Sequence, residues 1–455
     1  MIDSEIPQYK ATSEKLSSVS TSLCLAKWLQ VTLHLHNGST QSCHHVQTHK
    51  VKLKSLEENP SGLHNTPEKA ASREQMLTNQ RPSECGYCWK MEDAGRYSDR
   101  IEKSSRMWAS PYFEEVVKKG AKAPVNPRYV EISFDSACNF KCMYCSPAFS
   151  TSWMEEIKKF GPYQTSPLFN DLETVAADGK MPLEDEERQK YIEYFWKWWP
   201  DLSNDLLVLR VTGGEPLLAP ETFKLMDWLV ENPRPRMQFA INTNMSMREI
   251  VRGKFIAKMN ALSGKVNRLS IYTSIDTAHP KKAEYIRYGL DMEKFKENLH
   301  EILSQAKWPI HLSYMITVNA LSLPGLRELF QFISEQKKNH PQHQITIDTP
   351  YLRNPEHLSV EILTSKFAKY IDHAMDFLRN IEGTPHGFSK QEMQKVDRIK
   401  ALILENPAHP EFIKRQRQNF YKMIKQYDSR RKVSFLRSFP EYRTFYFSCW
   451  LESRR

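Results

Sequence analysis

Between Tyr129 and Asp348, short apolar, β-branched runs alternate with stretches of helical periodicity, and this alternation limits the chain to few architectures. The strand-like runs are Tyr129–Phe134, Leu206–Val211, Gln238–Asn242, Arg268–Ile275, Ile310–Val318 and Gln344–Asp348. Asp185–Trp198, Pro220–Glu231, Met292–Gln305 and Gly325–Gln336 lie between them and read as helices. Strands separated by helices form parallel pairs, and right-handed crossovers curl such a sheet into a barrel or part of one. The expected class is α/β, a partial (β/α)6 barrel of TIM type. The aromatic run Tyr191–Trp199 reads as the core and rim of a helix.

The flanks differ. Residues 1–20 are polar and Ser-rich and read as a flexible tail, without the basic-then-apolar layout of a signal peptide. Residues 21–128 hold four cysteines. Within them, an apolar stretch from Leu23 runs into Asn37-Gly38, predicting a hairpin that returns through Cys43. Residues 129–350 are the barrel. From 351 to 455 strand signals fade, and Thr364–Ile381, Lys390–Leu404 and Glu411–Tyr427 predict a helical extension. Lys395–Arg455 contains 15 basic and 6 acidic residues, nearly the whole +10 net charge of the chain. Such a surplus is a solvated helix face or a surface for an acidic partner. No window reaches the ~18 apolar residues of a spanning helix. The expected setting is cytoplasmic, with no membrane partner.

Eight cysteines in 455 residues are too few for a disulfide scaffold, and their clustering points to metal. Cys138, Cys142 and Cys145 form a C-x3-C-x2-C run just after the first barrel strand. Three thiolates with no fourth protein ligand nearby suit a [4Fe–4S] cluster with one open iron better than a structural zinc. After the second strand stands Thr212-Gly213-Gly214-Glu215-Pro216. Both motifs follow strands, so both fall at the C-terminal rim where barrels of this type assemble their sites. Glycines allow close backbone approach, and Glu215 can accept a hydrogen bond from an ammonium group.

With these motifs in place, Tyr129–Asp348 resembles the radical S-adenosylmethionine (SAM) enzymes. The resemblance implies that Cys138, Cys142 and Cys145 hold a [4Fe–4S] cluster whose open iron binds SAM. It implies that Gly213, Gly214, Glu215 and Pro216 receive the methionine ammonium and that Tyr144 lies near the adenine. Ser274-Ile275-Asp276 and Arg287 match the family's positions for ribose and carboxylate. Thr243-Asn244 resembles the family's Thr-Asn-Gly, with Met245 in place of the glycine. Cys24-x13-Gly38-x4-Cys43 with Cys85-x2-Cys88 is similar to the SPASM and twitch auxiliary elements, here placed before the barrel. Trp89 and the Glu92/Gly95/Arg96 stretch fit the twitch pattern. The implied cofactor there is a second [4Fe–4S] cluster, with a four-thiolate zinc as the alternative. His44 and His45 could replace a ligand.

Cys449 reads as a buried small residue or as a hydrogen-atom donor. His34 and His36 alternate on a strand and read as its polar face. The expected function is reductive SAM cleavage followed by hydrogen abstraction, first from a peptide or protein. A nucleotide-derived or other small metabolite is the alternative, and a zinc-stabilised nucleic-acid-binding protein is the rival from another class. An electron donor such as flavodoxin or ferredoxin is the implied partner.

Overall fold

The structure is a computed structural model that describes residues 6–405 and 409–454. Eleven strands follow in chain order among these residues: β1 (Gln30–His34), β2 (Ser39–Gln41), β3 (His49–Lys50), β4 (Tyr129–Ser133), β5 (Lys141–Cys142), β6 (Val208–Thr212), β7 (Arg234–Thr243), β8 (Val266–Ser274), β9 (Arg287–Tyr288), β10 (His311–Met315) and β11 (Gln344–Asp348). Nine share one sheet, ordered β11-β10-β8-β7-β6-β4-β1-β2-β3, and β5 pairs with β9 apart from it. From β11 to β1 every neighbouring pair is parallel. β2 and β3 add an antiparallel edge.

Alternation along the strands explains the curl. Val130, Ile132, Leu209, Val211, Phe239, Ile241, Leu269 and Ile271 are fully buried, as expected of the face that packs beneath helices. The other set is polar. Arg210 Nε donates to Asn242 Oδ1 at 2.9 Å, and its guanidinium lies over the Tyr272 ring at 4.3 Å. Helices Asp185–Asp205, Pro220–Glu231, Glu249–Ala261, Met292–Gln305 and Leu326–Asn339 connect or follow these strands. The fold is therefore a partial TIM-type barrel followed by helices Ala368–Asn380, Lys390–Leu404, Pro410–Arg431 and Arg443–Ser453.

Three features differ from the sequence reading. The parallel sheet has a seventh strand, because β1 pairs with β4 over Gln30–His34 and Tyr129–Ser133. A division at 128/129 thus cuts through one hydrogen-bonded sheet. The apolar stretch from Leu23 is strand only from Gln30 onward, since Ala26–Leu29 forms a helical turn. The turn after β1 needs Gly38: its φ is +67°, and a Cβ there would meet the Tyr191 ring at 2.6 Å. Finally, Ile6–Ser17 is a helix and not a loose tail, anchored by buried Tyr9 and Leu16 and by Gln8 Nε2 donating to Ser105 O. Residues 1–5 of the expected tail, and 406–408 and 455 of the extension, lie outside the described residues.

Candidate active site

β4 runs into the Cys138–Cys145 loop, and the start of helix Thr151–Phe160 takes up the loop's carbonyls. Ser150 Oγ donates to Phe140 O (2.7 Å), Ser152 Oγ to Cys138 O (2.8 Å) and Trp153 Nε1 to Cys142 O (2.9 Å). The β5–β9 ribbon sets Cys142 opposite Arg287. Behind this layer, Glu156 pairs with Arg431 of helix Pro410–Arg431 at 3.0 Å and with Lys141 at 3.2 Å. Both Glu156 and Arg431 side chains are 2% exposed. Burial pushes the Glu156 carboxyl up, but Arg431 outweighs it and the net shift is downward.

The glycine turn closes on the same loop. Gly214 N donates to Asp135 O and Glu215 N to Ala137 O (2.7 Å). A Cβ at Gly214 would sit 2.2 Å from Ala137 O, so this glycine serves contact between the two loops. Glu215 is 4% exposed and points inward: Oε1 accepts from Leu217 N and Oε2 from Asn244 N. Burial lifts its carboxyl to about 7. Met245, where the resemblance has glycine, keeps φ at +59° with its side chain fully buried. Met245 thus takes the left-handed backbone that a glycine adopts freely, at the cost of local strain.

A cavity of about 370 Å³ opens at this rim. Cys138, Cys142, Tyr144, Cys145, Gly213, Gly214, Asn244, Ser274 and Arg287 line it. Glu215, Pro216 and Asp276 do not, although the resemblance put them in contact with SAM. Asp276 is fully buried and acts through its neighbours: it pairs with Arg287 Nε at 2.7 Å and accepts from Tyr144 OH at 2.9 Å. Burial pushes its carboxyl up, and Arg287 partly offsets this. Thr212, Asn242, Thr317, Ser146 and Phe149 also line the cavity. Thr212 and Asn242 had a readable signal, being polar residues at the C-terminal ends of barrel strands. Phe149 had none.

The donor set fits an iron–sulfur cluster. Burial pushes the Cys138 thiol up to about 12 and raises Cys142 and Cys145 as well. The three sulfurs belong to one loop and line one cavity, the arrangement that a shared metal centre needs. Cys449 is elsewhere. It is fully buried in helix Arg443–Ser453 and is not among the residues that line the cavity, a placement that suits the buried small residue of the sequence reading.

The other thiols also meet. Cys24, Cys43, Cys85 and Cys88 line one narrow cavity with Lys27, Arg100 and Lys103. Lys27 pairs with Glu84 and Arg100 with Glu92. Burial pushes Cys85 and Cys88 up to about 12. Cys43 follows β2, whose register sets it at the N-terminal end of β1, away from the Cys138 loop. The two cavities share no lining residue. His44 and His45 face Asp99 at 3.5 and 2.8 Å; His45 also lines the thiol cavity. His34 and His36 are not on an exposed polar face: His36 is 1% exposed, and both His34 ring nitrogens are buried without a partner. Each such atom costs about 1–3 kcal/mol.

No protein-family model matches the chain. Curated relatives do. The GTP 3′,8-cyclase of Campylobacter curvus is 22% identical over 200 residues, 44% of this chain and 48% of that protein. The GTP 3′,8-cyclase of Peptoclostridium acidaminophilum is 26% identical over 188 residues, 41% of this chain and 46% of its own length. Molybdenum cofactor biosynthesis protein 1 of Bos taurus is 26% identical over 208 residues, 45% of this chain and 26% of its own length. The chain spans about half the length of the cyclases it matches. Rim motifs, barrel and relatives point the same way: the chain is similar to the radical SAM enzymes. Among the particular proteins it resembles, those named GTP 3′,8-cyclase recur. No described helix is long and apolar enough to cross a membrane.

Proposed function

We propose that this chain cleaves SAM reductively and takes a hydrogen atom from a nucleotide-derived substrate. The observation that carries the reading is the cavity at the strands' C-terminal ends, lined by Cys138, Cys142 and Cys145 together with Gly213 and Gly214. The three cysteines would hold a [4Fe–4S] cluster, and Tyr144, Asn244, Ser274 and Arg287 would contact SAM. Bound there, the cluster and SAM supply a 5′-deoxyadenosyl radical able to abstract hydrogen from an unactivated carbon. The residues' own work is orientation and exclusion of water. Arg287 is held by Asp276 and Tyr144, so it enters the cavity in a fixed pose. Glu215 holds Asn244 in place through its backbone N–H.

The relatives' names favour a nucleotide over the peptide expected first. The basic extension agrees, because part of its surplus is structural: Arg430 donates to Gly161 O and Pro162 O, and Arg431 is buried against Glu156. Cys24, Cys43, Cys85 and Cys88 would hold a second [4Fe–4S] cluster, flanked by three cations that suit its negative charge. Separate cavities favour a role in electron transfer or structure over substrate anchoring. A flavodoxin or ferredoxin would supply the electron.

The test is anaerobic purification followed by incubation with SAM, dithionite and each common nucleoside triphosphate. Brown protein with about eight irons per chain, forming 5′-deoxyadenosine faster with one of the nucleotides, is expected. Colourless zinc protein that forms none would overturn the reading.

A further inference from the structure

The strand that joins the barrel from outside the expected core brings two histidines to its mouth. β1 pairs with β4 in full register, so His34 stands opposite Ser133, and Ser133 opposite Thr212. Parallel partners in register project to the same face. His34 therefore falls in the row that ends at Thr212, which lines the rim cavity. His36 follows, with its Nδ1 2.8 Å from Ser133 Oγ. The two imidazoles meet edge to face, their centroids 5.7 Å apart. Both touch Phe149, at 6.2 and 5.7 Å, and Phe149 itself lines the cavity.

Three of the four ring nitrogens, both of His34 and Nε2 of His36, are buried with no partner. Buried polar groups are paired in the great majority of cases, so packing alone does not account for this pair. Burial holds both rings neutral, with values lowered to about 4 and about 3. A neutral imidazole offers one donor and one acceptor. That matches the mixed edge of a nucleobase and gives nothing to the charge of a phosphate. Phe149 is 38% exposed and lines the cavity, which the histidines themselves do not; its ring meets theirs tilted or edge to face, so a base must move it to reach them.

We propose that His34 and His36, capped by Phe149, form the subsite that reads the base of the substrate. The assignment rests on the nucleotide reading above. A base entering from the cavity would shift Phe149, stack on it and supply the partners the ring nitrogens lack. The subsite would thus come from the N-terminal strand and not from the barrel motifs.

Equilibrium dialysis with the full-length, cluster-loaded protein and SAM tests this, using ATP, GTP, CTP, UTP and their four nucleosides as probes. The intact protein is expected to bind one base best, as triphosphate and as nucleoside. His34→Phe and His36→Phe, which keep volume and remove the nitrogens, should each weaken that binding about tenfold, by the same factor for both forms. Phe149→Ala, at an exposed position, should weaken it about tenfold through lost stacking. Iron content and melting temperature report whether each variant is folded; should His36→Phe fail, His34→Phe and Phe149→Ala decide. If the unaltered protein binds none of the probes, the nucleotide reading fails and takes this subsite with it. If it binds and the variants bind equally well, the reading stands and the subsite is wrong. A loss confined to the triphosphate would also overturn the proposal, since the pair would then be sensing phosphate.

Discussion

The thiols of Cys138, Cys142 and Cys145 come from one loop and face an open cavity, whereas those of Cys24, Cys43, Cys85 and Cys88 come from three segments and enclose a narrow one. The difference is one of locality. A single loop assembles three ligands with little chain to order, and its open front leaves room for an external ligand. The second set ties together a pre-strand turn, a hairpin end and a short helix, so whatever fills it holds the N-terminal region in place. The surroundings differ in the same sense. The loop meets one guanidinium, Arg287, paired with Asp276, while the four-thiol cavity is lined by Lys27 and Arg100, paired with Glu84 and Glu92, and by Lys103 and Asp99.

Separate cysteine replacements break this comparison most directly. Cys142→Ala should reduce 5′-deoxyadenosine formation to background while retaining about four irons per chain. Cys85→Ala should also lose about four irons yet keep substrate-free SAM cleavage, with the larger fall in melting temperature. Iron analysis, product chromatography and thermal melts on both variants check the contrast; equal loss of cleavage would merge the two sites into one.

The loop depends on the C-terminal extension through a buried ion pair, and Arg431→Met should cost about 3 kcal/mol because it leaves the buried Glu156 with only Lys141, the more distant Arg430 and the Tyr163 hydroxyl. Its pH dependence carries the sign. Glu156 has a depressed folded value, so its contribution is fully present above its ordinary value of 4.5 and fades as pH falls through the folded one. Without Arg431, burial leads and that acid-side slope should flatten. Denaturant titrations between pH 3 and about 7 would show it.

Cys449→Ala is the smallest of these effects. It should cost about 1 kcal/mol of packing and leave SAM cleavage and product stereochemistry unchanged. A stereochemical change would return this thiol to the reaction.

Much of the barrel was legible in the chain itself. Helices Pro220–Glu231 and Met292–Gln305 match their sequence bounds residue for residue, one opened by a proline and the other capped by Asp291. Gln344–Asp348 is likewise β11, whereas Arg268–Ile275 falls on β8 with its start two residues late and its end one residue beyond. Periodicity and capping are local, and so is the cysteine spacing. Hidden from such a reading was anything decided by a partner far along the chain. β1 looked like half of an isolated hairpin because its pairing with β4 spans almost a hundred residues of intervening chain.

The sequence by itself determined the α/β alternation, the two rim motifs and the grouping of the cysteines, because each depends on residues a few positions apart. Only the tertiary structure decided that Glu215 braces a neighbouring loop and that Cys449 is fully buried away from the cavity lining. It also decided that three of the four ring nitrogens of His34 and His36 are buried without a partner behind Phe149. Burial and hydrogen-bond partnership arise between segments distant in sequence, and these set what a side chain can do.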